Sequence, residues 1–280
     1  MPRPPLTAII HTFDEADQIA DCLRTVEWAD EIYLLDSFST DGTPELVRAL
    51  FPRVRIEQRE SLGSAAQKNY GISRAAHDWI FIVDADERVP DALRDEILAT
   101  LETEPRFHAY SIGRRNFVLG EEVRYSQLQR DRVTRLFHRE FARYPNRRVH
   151  ADLEVNGQTG RLLEKYVHYY IRSLDHQVAK MTRYGEWGAA QRFLEGKRLL
   201  SGWTVFAHTA ARLCRDLIFN LGFLDGAPGL VTVGLHTWYT FWKYAKLWEH
   251  SMRERSGLPV QLPAMETDEE IWAKPWDEVE

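Results

Sequence analysis

The sequence predicts an α/β fold, with a mostly parallel sheet flanked by helices and a C-terminal helical extension. Over the first hundred residues, short apolar runs typical of buried strands alternate with segments that have the periodicity of amphipathic helices. Each of these strand-like runs ends in a polar loop. From Ser173 to about Glu249 the pattern is helical, with one break at "GFLDGAPG". A chain of 280 residues with 44% hydrophobic content can bury a core of this size.

The predicted elements follow one another with short connections. Strands are expected at 6–13, 31–36, 54–58 and 79–83, and helices at 16–25, 44–50, 65–76 and 91–101. Pro90 stands just before the last of these helices, and proline is well tolerated at a helix start. Three later runs, at 108–112, 133–138 and 166–171, indicate further strands of a mixed sheet. We therefore expect a domain over 1–172, a helical extension over 173–255 and an acidic tail over 256–280.

The composition argues against several classes of protein. The formal charge of −6 is unlike that of a general nucleic-acid binder, because affinity for a phosphate backbone needs a basic surface. The two cysteines, Cys22 and Cys214, are too few for a disulfide framework or a zinc site. The start of the chain, "MPRPPLTAII", lacks the pattern of a secretion signal, so we expect a cytoplasmic protein.

Positive charge is concentrated in one segment of the chain. Between Arg114 and Arg148 there are ten arginines, no lysine and only four acidic residues. Such an excess indicates a surface that binds an anion. The alternative is a solvated surface with salt bridges, since exposed ion pairs are common and contribute little to stability.

The stretch "WIFIVDADERVP" places two carboxylates at the end of a buried strand. Side chains two residues apart on an extended segment point the same way, so Asp84 and Asp86 should lie side by side and repel each other unless a cation lies between them. Hard oxygen ligands of this kind suit Mg²⁺ or Mn²⁺. A buried structural pair at the strand end is the alternative.

Several of these motifs resemble those of a known enzyme family. The series "IIHTFDEAD", "WADEIYLLDSFSTDGT", "AAQKNYGI" and "DWIFIVDADERV" resembles the N-terminal half of the inverting glycosyltransferases of family 2, which have the GT-A fold and use nucleotide-diphosphate sugars. The elements "RRNFVLG", "RLFHRE" and "GFLDGAPG" are similar to those of the bacterial subgroup related to the lipopolysaccharide inner-core β-1,4-glucosyltransferases. The resemblance implies transfer of a hexose from a UDP-type donor to a lipopolysaccharide-core or other lipid-linked, anionic glycan acceptor. Glucose is the first candidate for the hexose.

The resemblance also implies roles for individual residues. In similar enzymes the Asp-x-Asp pair, here Asp84 and Asp86, contacts the ribose and a divalent cation that bridges the diphosphate. His150 and His168 are further candidates for a metal or phosphate contact, because a neutral imidazole can complete a coordination shell. The implied donor-binding residues are Thr12, Asp14, Glu15, Asp36, Gln67 and Lys68 in the loops, and Arg114, Arg115, Arg132 and Arg135 for phosphate.

An inverting transfer also needs a carboxylate that takes the proton of the acceptor hydroxyl. Relatives often carry Glu directly after "VH", whereas this chain has Ala151 there. Asp152 is the first candidate for this general base, followed by Asp131 and Glu154.

The C-terminal helices raise the question of a membrane. Between Asp225 and Lys243 there are seventeen residues without a charged side chain, which is short of the roughly 20 that a spanning helix needs. The aromatic and basic residues near Trp238 and Lys246 are instead typical of a membrane interface. We therefore expect a peripheral protein on the cytoplasmic face of the cell membrane. An aromatic helical core, or the seam of a homo-oligomer, is the alternative.

Two other functions compete with sugar transfer. A sugar-phosphate nucleotidyltransferase is also a metal-using α/β protein, but it typically has a glycine-rich loop after its first strand, and "IIHTFDEAD" contains no glycine. A non-catalytic scaffold that binds a membrane or a partner would explain the departure at Ala151.

Overall fold

The computed structural model describes residues 3–60, 64–103, 105–145 and 152–263. It confirms the α/β class and the C-terminal helices. The described chain forms two compact units. The first, which we call the sheet unit, comprises the chain up to Arg115 together with Arg132–His168. The second, the helical unit, comprises Asn116–Asp131 and the chain from Tyr169 onward.

The strands form one large sheet and one small sheet. Their bounds are β1 (Leu6–Thr12), β2 (Glu31–Asp36), β3 (Arg55–Gln58), β4 (Trp79–Asp84), β5 (Glu87–Arg88), β6 (Ala109–Val118), β7 (Glu121–Val123), β8 (Arg132–His138), β9 (Ala142–Arg143), β10 (Glu154–Val155) and β11 (Thr159–Ile171). The large sheet has the order β3-β2-β1-β4-β8-β6-β11-β5, with β7 beside β6, whereas β9 and β10 pair with each other. Strands β1 to β4 are parallel, and β8 joins them antiparallel to β4.

Strand β4 is buried on both faces, as its continuous apolar run predicts. Phe81 and Val83 point into one hydrophobic cluster, whereas Ile80 and Ile82 point into the other. All four side chains are fully buried. The alternation follows from the two-residue repeat of a strand, and it places the sheet between two apolar layers.

The helices of the sheet unit are α1 (Ile19–Arg24), α2 (Thr43–Leu50), α3 (Ser64–Arg74) and α4 (Asp91–Glu102). Helix α1 begins three residues later than the sequence predicts. The preceding residues are held as a loop by side chains, because Asp14 accepts a hydrogen bond from the Thr40 backbone N–H and Asp41 accepts one from that of Ala16. Such side-chain partners compete with helical hydrogen bonding.

The helical unit contains α5 (Leu174–Leu194), α6 (Gly202–Cys214) and α7 (Gly226–Arg255). The predicted break at "GFLDGAPG" is confirmed, since a 3₁₀ turn over Gly222–Asp225 precedes α7. Gly229 is required there, because a Cβ atom at this position would lie 2.1 Å from the backbone oxygen of Gly222. The acidic tail from residue 264 lies outside the described residues.

Among the residues that the structure describes, no single helix is both long and apolar enough to cross a bilayer. One bent pair, Gly202–Phe219 with Gly222–Arg255, meets the criterion by length and composition.

Candidate active site

The polar residues predicted to follow the strands gather at one edge of the sheet. In the parallel register, Thr12 at the end of β1 lies opposite Asp36 at the end of β2. On the other side of β1, His11 lies opposite Asp84 at the end of β4. The carboxyl ends of parallel strands are where ligands bind in open α/β sheets, so this edge is the candidate site.

Asp36 is fully buried and its carboxylate is held from several sides. It accepts hydrogen bonds from the Thr12 hydroxyl at 3.0 Å, from the Ser39 backbone N–H at 2.9 Å and from the Gln58 side-chain amide at 3.0 Å. A buried carboxylate needs such donors, because burial without them is costly. Asp36, one of the implied donor-binding residues, therefore positions the loop after β2.

The loops after β1 and β2 are tied together. Asp14 has a left-handed backbone conformation, with φ of 55°, and its N–H donates to the Ser39 hydroxyl at 2.8 Å. The Glu15 N–H donates to the Thr43 hydroxyl at 3.0 Å. Asp41 also accepts from the Thr43 backbone N–H at 3.0 Å, at the start of α2. These bonds give the loops after β1 and β2 a defined shape.

The side chain of Asp84 is bound by arginines from two neighbouring strands. Arg135 on β8 forms a close ion pair with its Oδ2 atom, and Arg114 on β6 lies 3.4 Å from the same atom. Burial alone would raise the pKa of Asp84, but Arg135, Lys68 and Arg114 outweigh it and hold that pKa well below its usual range. Asp84 is therefore a carboxylate at any physiological pH.

Glu87 is a site residue that sequence reasoning missed. Its side chain is fully buried, and its Oε1 atom accepts from Arg114 Nε at 2.7 Å. Its other oxygen accepts from the Asp84 backbone N–H at 3.0 Å, which closes the turn after β4. The available signal was the position of Glu87 within "DADER", but nothing local indicates that an acidic residue will be buried.

Asp86 faces His168, and strand pairing explains why. β5 pairs with β11 so that Glu87, the residue next to Asp86 in the chain, lies opposite His168. The Oδ2 atom of Asp86 and the Nε2 atom of His168 are 3.6 Å apart. His168 is buried, with 7% of its surface exposed. Two residues separated by 82 positions in the chain are thus brought together at the strand-end edge.

The Asp86–His168 pair fits a divalent cation as two of its ligands. Two atoms bound at about 2.1 Å to one octahedral ion lie roughly 3 Å apart, which is close to the separation here. No group of three or more His, Cys, Asp or Glu side chains in the described ranges could hold a metal by itself. That is compatible with Mg²⁺ or Mn²⁺, which usually take one or two protein carboxylates and complete their shell with phosphate oxygens and water.

Lys68 lies in the same electrostatic environment as Asp84. Burial and the neighbouring Arg135 lower the pKa of Lys68 to about 8, although Asp84 opposes this. Its ammonium group lies 5.0 Å from the centroid of the Tyr144 ring. Asn69 fixes that tyrosine by accepting from its backbone N–H at 3.0 Å and donating to its carbonyl at 2.9 Å. The ammonium group of Lys68 therefore has a defined position beside the Tyr144 ring.

Gln67, next to Lys68, is buried and contacts the loops after β2 and β3. It accepts from Arg59 at 2.9 Å and donates to the Ser37 hydroxyl at 3.1 Å. Its backbone carbonyl lies 3.3 Å from His11 Nε2. Gln67 thus connects the loop after β2, through Ser37, with the loop after β3, through Arg59.

The four arginines predicted to bind phosphate have different surroundings. Arg114 and Arg135 contact the carboxylates described above, whereas Arg115 follows Arg114 on β6 and is exposed. Arg132 donates to two backbone carbonyls, those of Ser111 at 2.6 Å and Leu162 at 2.8 Å. Arg132 therefore holds strands together in this structure.

The candidates for the general base lie in different parts of the structure. Asp152 is exposed in the sheet unit, and Glu154 on β10 is 4.0 Å from Arg143. Asp131 belongs to the helical unit and immediately precedes β8. His150 and Ala151 lie outside the described residues. The assignment of the base remains a prediction.

Comparisons with known proteins agree with this geometry. The sequence profile of "Glycosyl transferase family 2" matches residues 7–172. The lipopolysaccharide core biosynthesis glycosyltransferase LpsC of Rhizobium meliloti is 27% identical, over 94% of this chain and 99% of its own length. An uncharacterized glycosyltransferase of Rickettsia conorii is 25% identical, over 90% of this chain and 93% of its own length.

A solved structure supports the fold. The mannosyltransferase PcManGT from Pyrobaculum calidifontis, in complex with GDP-Man and Mn²⁺, aligns with a TM-score of 0.53 and 18% identity, covering 88% of this chain and 87% of that one. The GT-A architecture implied by the motifs is thereby confirmed. Since the family profile spans more than half of the chain, the protein belongs to glycosyltransferase family 2 and is a glycosyltransferase.

Proposed function

We propose that this protein is an inverting, divalent-cation-dependent transferase that moves a hexose from a UDP-sugar to a lipopolysaccharide-core or other lipid-linked glycan. Glucose is the first candidate for the hexose. The observation that carries the proposal is the Asp86–His168 pair at the strand-end edge, beside an Asp84 held by two arginines. The similarity to LpsC over nearly the whole length of both chains supports the acceptor class.

Different residues of the site would bind different parts of the donor. Asp86 and His168 would hold Mg²⁺ or Mn²⁺, which when bound neutralises charge on the departing diphosphate. Lys68, largely protonated at neutral pH, supplies a further positive charge for the diphosphate. Arg114 and Arg135 keep Asp84 ionised and in place, with its other carboxylate oxygen left for a ribose hydroxyl.

The transfer itself needs a base that this site must supply. As the acceptor oxygen attacks the anomeric carbon, its proton passes to a carboxylate and the bond to the diphosphate breaks. Asp152 and Asp131 are the first two candidates, and Glu154 is the third. Removing the true base should lower transfer by about 10²–10⁴-fold while donor binding is retained. Comparing Asp152→Asn with Asp131→Asn in a transfer assay identifies the base, and full activity in both variants would reject both assignments.

The metal assignment is tested on the donor alone. Purified protein is titrated with UDP-glucose and other nucleotide sugars, with Mn²⁺ and with chelator, by calorimetry and by slow donor hydrolysis. Asp86→Asn should abolish the Mn²⁺-dependent part of both signals. Asp95→Asn, which removes an exposed carboxylate paired with Arg94 on α4, is the matched control. If Asp86→Asn behaves like the control, the cation is not held at Asp86.

The same assay separates an enzyme from a scaffold. A transferase whose catalytic base was lost at Ala151 would still bind the donor, but it would show no transfer to any lipid-linked acceptor. Asp86-dependent transfer would exclude this second candidate.

We further propose that the protein works as a peripheral protein on the cytoplasmic face of the cell membrane, where a lipid-linked acceptor is presented. Exposed aromatic side chains of the helical unit, among them Trp203 and Trp238, support this location. Self-association through the C-terminal helices is the competing use of the same surface. Analytical ultracentrifugation with and without vesicles distinguishes the two.

A further inference from the structure

One of the candidate bases, Asp131, lies at the end of a short 3₁₀ turn. The turn spans Ser126–Arg130, and the Asp131 backbone N–H donates to the Leu128 carbonyl at 3.2 Å. Asp131 is bonded to Arg132, the first residue of β8. Because β8 runs antiparallel to β4, the chain enters β8 from the edge at which β4 ends. Asp131 is thus one peptide bond away from the strand-end edge that carries Asp84.

Asp225 of the helical unit holds the chain just before this turn. One of its carboxylate oxygens accepts from the Arg124 backbone N–H at 2.8 Å, and the other accepts from that of Tyr125 at 2.7 Å. Asp225 stands at the N-cap position of α7, where an aspartate usually accepts from N–H groups of its own helix. Among the described residues, its side chain makes no such bond to α7. Both oxygens instead fix the residues that lead into the Ser126–Arg130 turn.

Gly229 allows the Asp225 carboxylate to be held firmly. A Cβ atom at Gly229 would lie 2.1 Å from the backbone oxygen of Gly222 and 2.6 Å from the Cβ atom of Asp225. The first turn of α7 therefore packs directly against the residue that carries the carboxylate, and only glycine permits this approach. The motif "GFLDGAPG" thus combines the carboxylate with its own rigid support.

Gln127 provides a second connection, from within the turn. Its Oε1 atom accepts from Arg212 Nη2 at 2.5 Å, and its Nε2 atom lies 3.3 Å from His236 Nε2. Arg212 also forms a close ion pair with Asp216, which is fully buried. His236 Nδ1 lies 3.7 Å from the same carboxylate. A buried polar network of this kind favours a single arrangement, because a member that moves leaves its partners unpaired.

Tyr170 connects the same network with the charge of Asp131. Its hydroxyl oxygen lies 2.8 Å from His236 Nε2. Burial raises the pKa of Tyr170, and the negative charge of Asp131 raises that pKa further, with a larger effect than the charge of Asp216 has. Asp131 therefore lies close to the Tyr170 hydroxyl. The turn that ends at Asp131 is fixed before its start, by Asp225, and within it, by Gln127.

We propose that the helical unit positions Asp131 as the general base of sugar transfer, with Asp225 and Gln127 as positioning residues. The assignment rests on the proposed function, which it deepens by choosing one carboxylate. The acceptor oxygen forms a bond to the anomeric carbon and its proton passes to Asp131, while the electron pair of the broken C–O bond leaves with the nucleoside diphosphate. Such a base must be held accurately, because a misplacement of about 1 Å can cost about 10²-fold in rate.

The test measures kcat and the donor KM of the full chain with Mn²⁺ and the nucleotide sugar that the wild type turns over fastest. Release of the nucleoside diphosphate is followed with water and with lipopolysaccharide core oligosaccharide as the acceptor. Asp225→Ala should lower kcat by about 10–100-fold and leave the donor KM within about twofold. Asp175→Ala is the matched control, because it removes an exposed aspartate from the first turn of α5. It should leave both constants unchanged.

A double-variant cycle separates the positioning of Asp131 from a general loss of structure. Asp131→Asn alone should lower kcat by about 10²–10⁴-fold. Adding Asp225→Ala to it should then change kcat by less than about twofold, because no base is left to misplace. Added to Asp152→Asn, Asp225→Ala should cause its full loss. Circular dichroism verifies folding, and Gln127→Met provides the same cycle if Asp225→Ala does not fold.

Several outcomes would overturn the proposal. Asp225→Ala could match Asp175→Ala, its loss could add in full to that of Asp131→Asn, or its loss could disappear in the Asp152→Asn background instead. In each case the wild type still turns over the donor, so the proposed function stands. A wild type that releases no nucleoside diphosphate from any nucleotide sugar would reject the proposed function itself, and the assignment of the base with it.

Discussion

Replacing Glu87 with glutamine should destabilise the sheet unit by about 3 kcal/mol, because the carboxylate is fully buried among donors. Its oxygens accept from the Asp84 backbone N–H at 3.0 Å and from Arg114 at 2.7 Å through Nε and 2.6 Å through Nη2. Glutamine keeps the shape but has one oxygen and one NH₂ group. Whichever way the amide is turned, a donor then faces a donor.

The magnitude follows from which partners remain. Removing one partner of a buried ion pair costs about 3–5 kcal/mol, and a hydrogen bond to a charged group contributes about 1.5–3 kcal/mol. Arg114 still has Asp84 at 3.4 Å, so we expect the lower end of the first range. With roughly 2–4 °C per kcal/mol for chains of this size, the thermal midpoint should fall by about 6–12 °C.

The assay is thermal and urea unfolding followed by tryptophan fluorescence. Glu45→Gln is the control, since Glu45 is an exposed partner of Arg48 at 3.3 Å and its loss should cost less than about 1 kcal/mol. A double variant with Arg114→Met should lose less stability than the two single variants added together. Glu87→Gln as stable as Glu45→Gln, or strict additivity with Arg114→Met, would refute the account of Glu87 as the buried counter-ion.

Three further outcomes are expected. Because Lys68 has a pKa of about 8, its charge is present below that pH and lost above it; UDP-sugar affinity should weaken between pH 7 and 9, and Lys68→Arg should remove this dependence in calorimetric titrations. Arg132→Met should cost about 1–3 kcal/mol in urea unfolding by leaving two carbonyls without a donor, yet should leave donor affinity within about twofold; a large loss of affinity would give Arg132 a role in binding. Gly229→Ala should cost more than about 3 kcal/mol, because its Cβ would lie 2.1 Å from a backbone oxygen; a stable variant would show that the turn before α7 can shift.

The sequence pattern is sufficient to predict those helices, strands and turns that are determined by residues close together in the chain. The apolar run of β4 predicts burial on both faces, and the aspartates that follow it are found at the strand-end edge. The break before α7 is predicted because glycine and proline act on their own backbone. The start of α1 is predicted too early, because the competing partners of its first residues come from the loop after β2.

The motifs along the chain also determined the enzyme family and the residues to inspect, among them Asp84, Asp86 and His168. Only the tertiary structure decided what those residues contact. Arg135 and Arg114 come from other strands to hold Asp84, Arg132 is used by the backbone instead, and β5 pairs with β11 to bring His168 to Asp86. The physical reason is that strand register is a non-local property: it depends on which distant segments pair, and a shift of one residue would turn every one of these side chains to the opposite face.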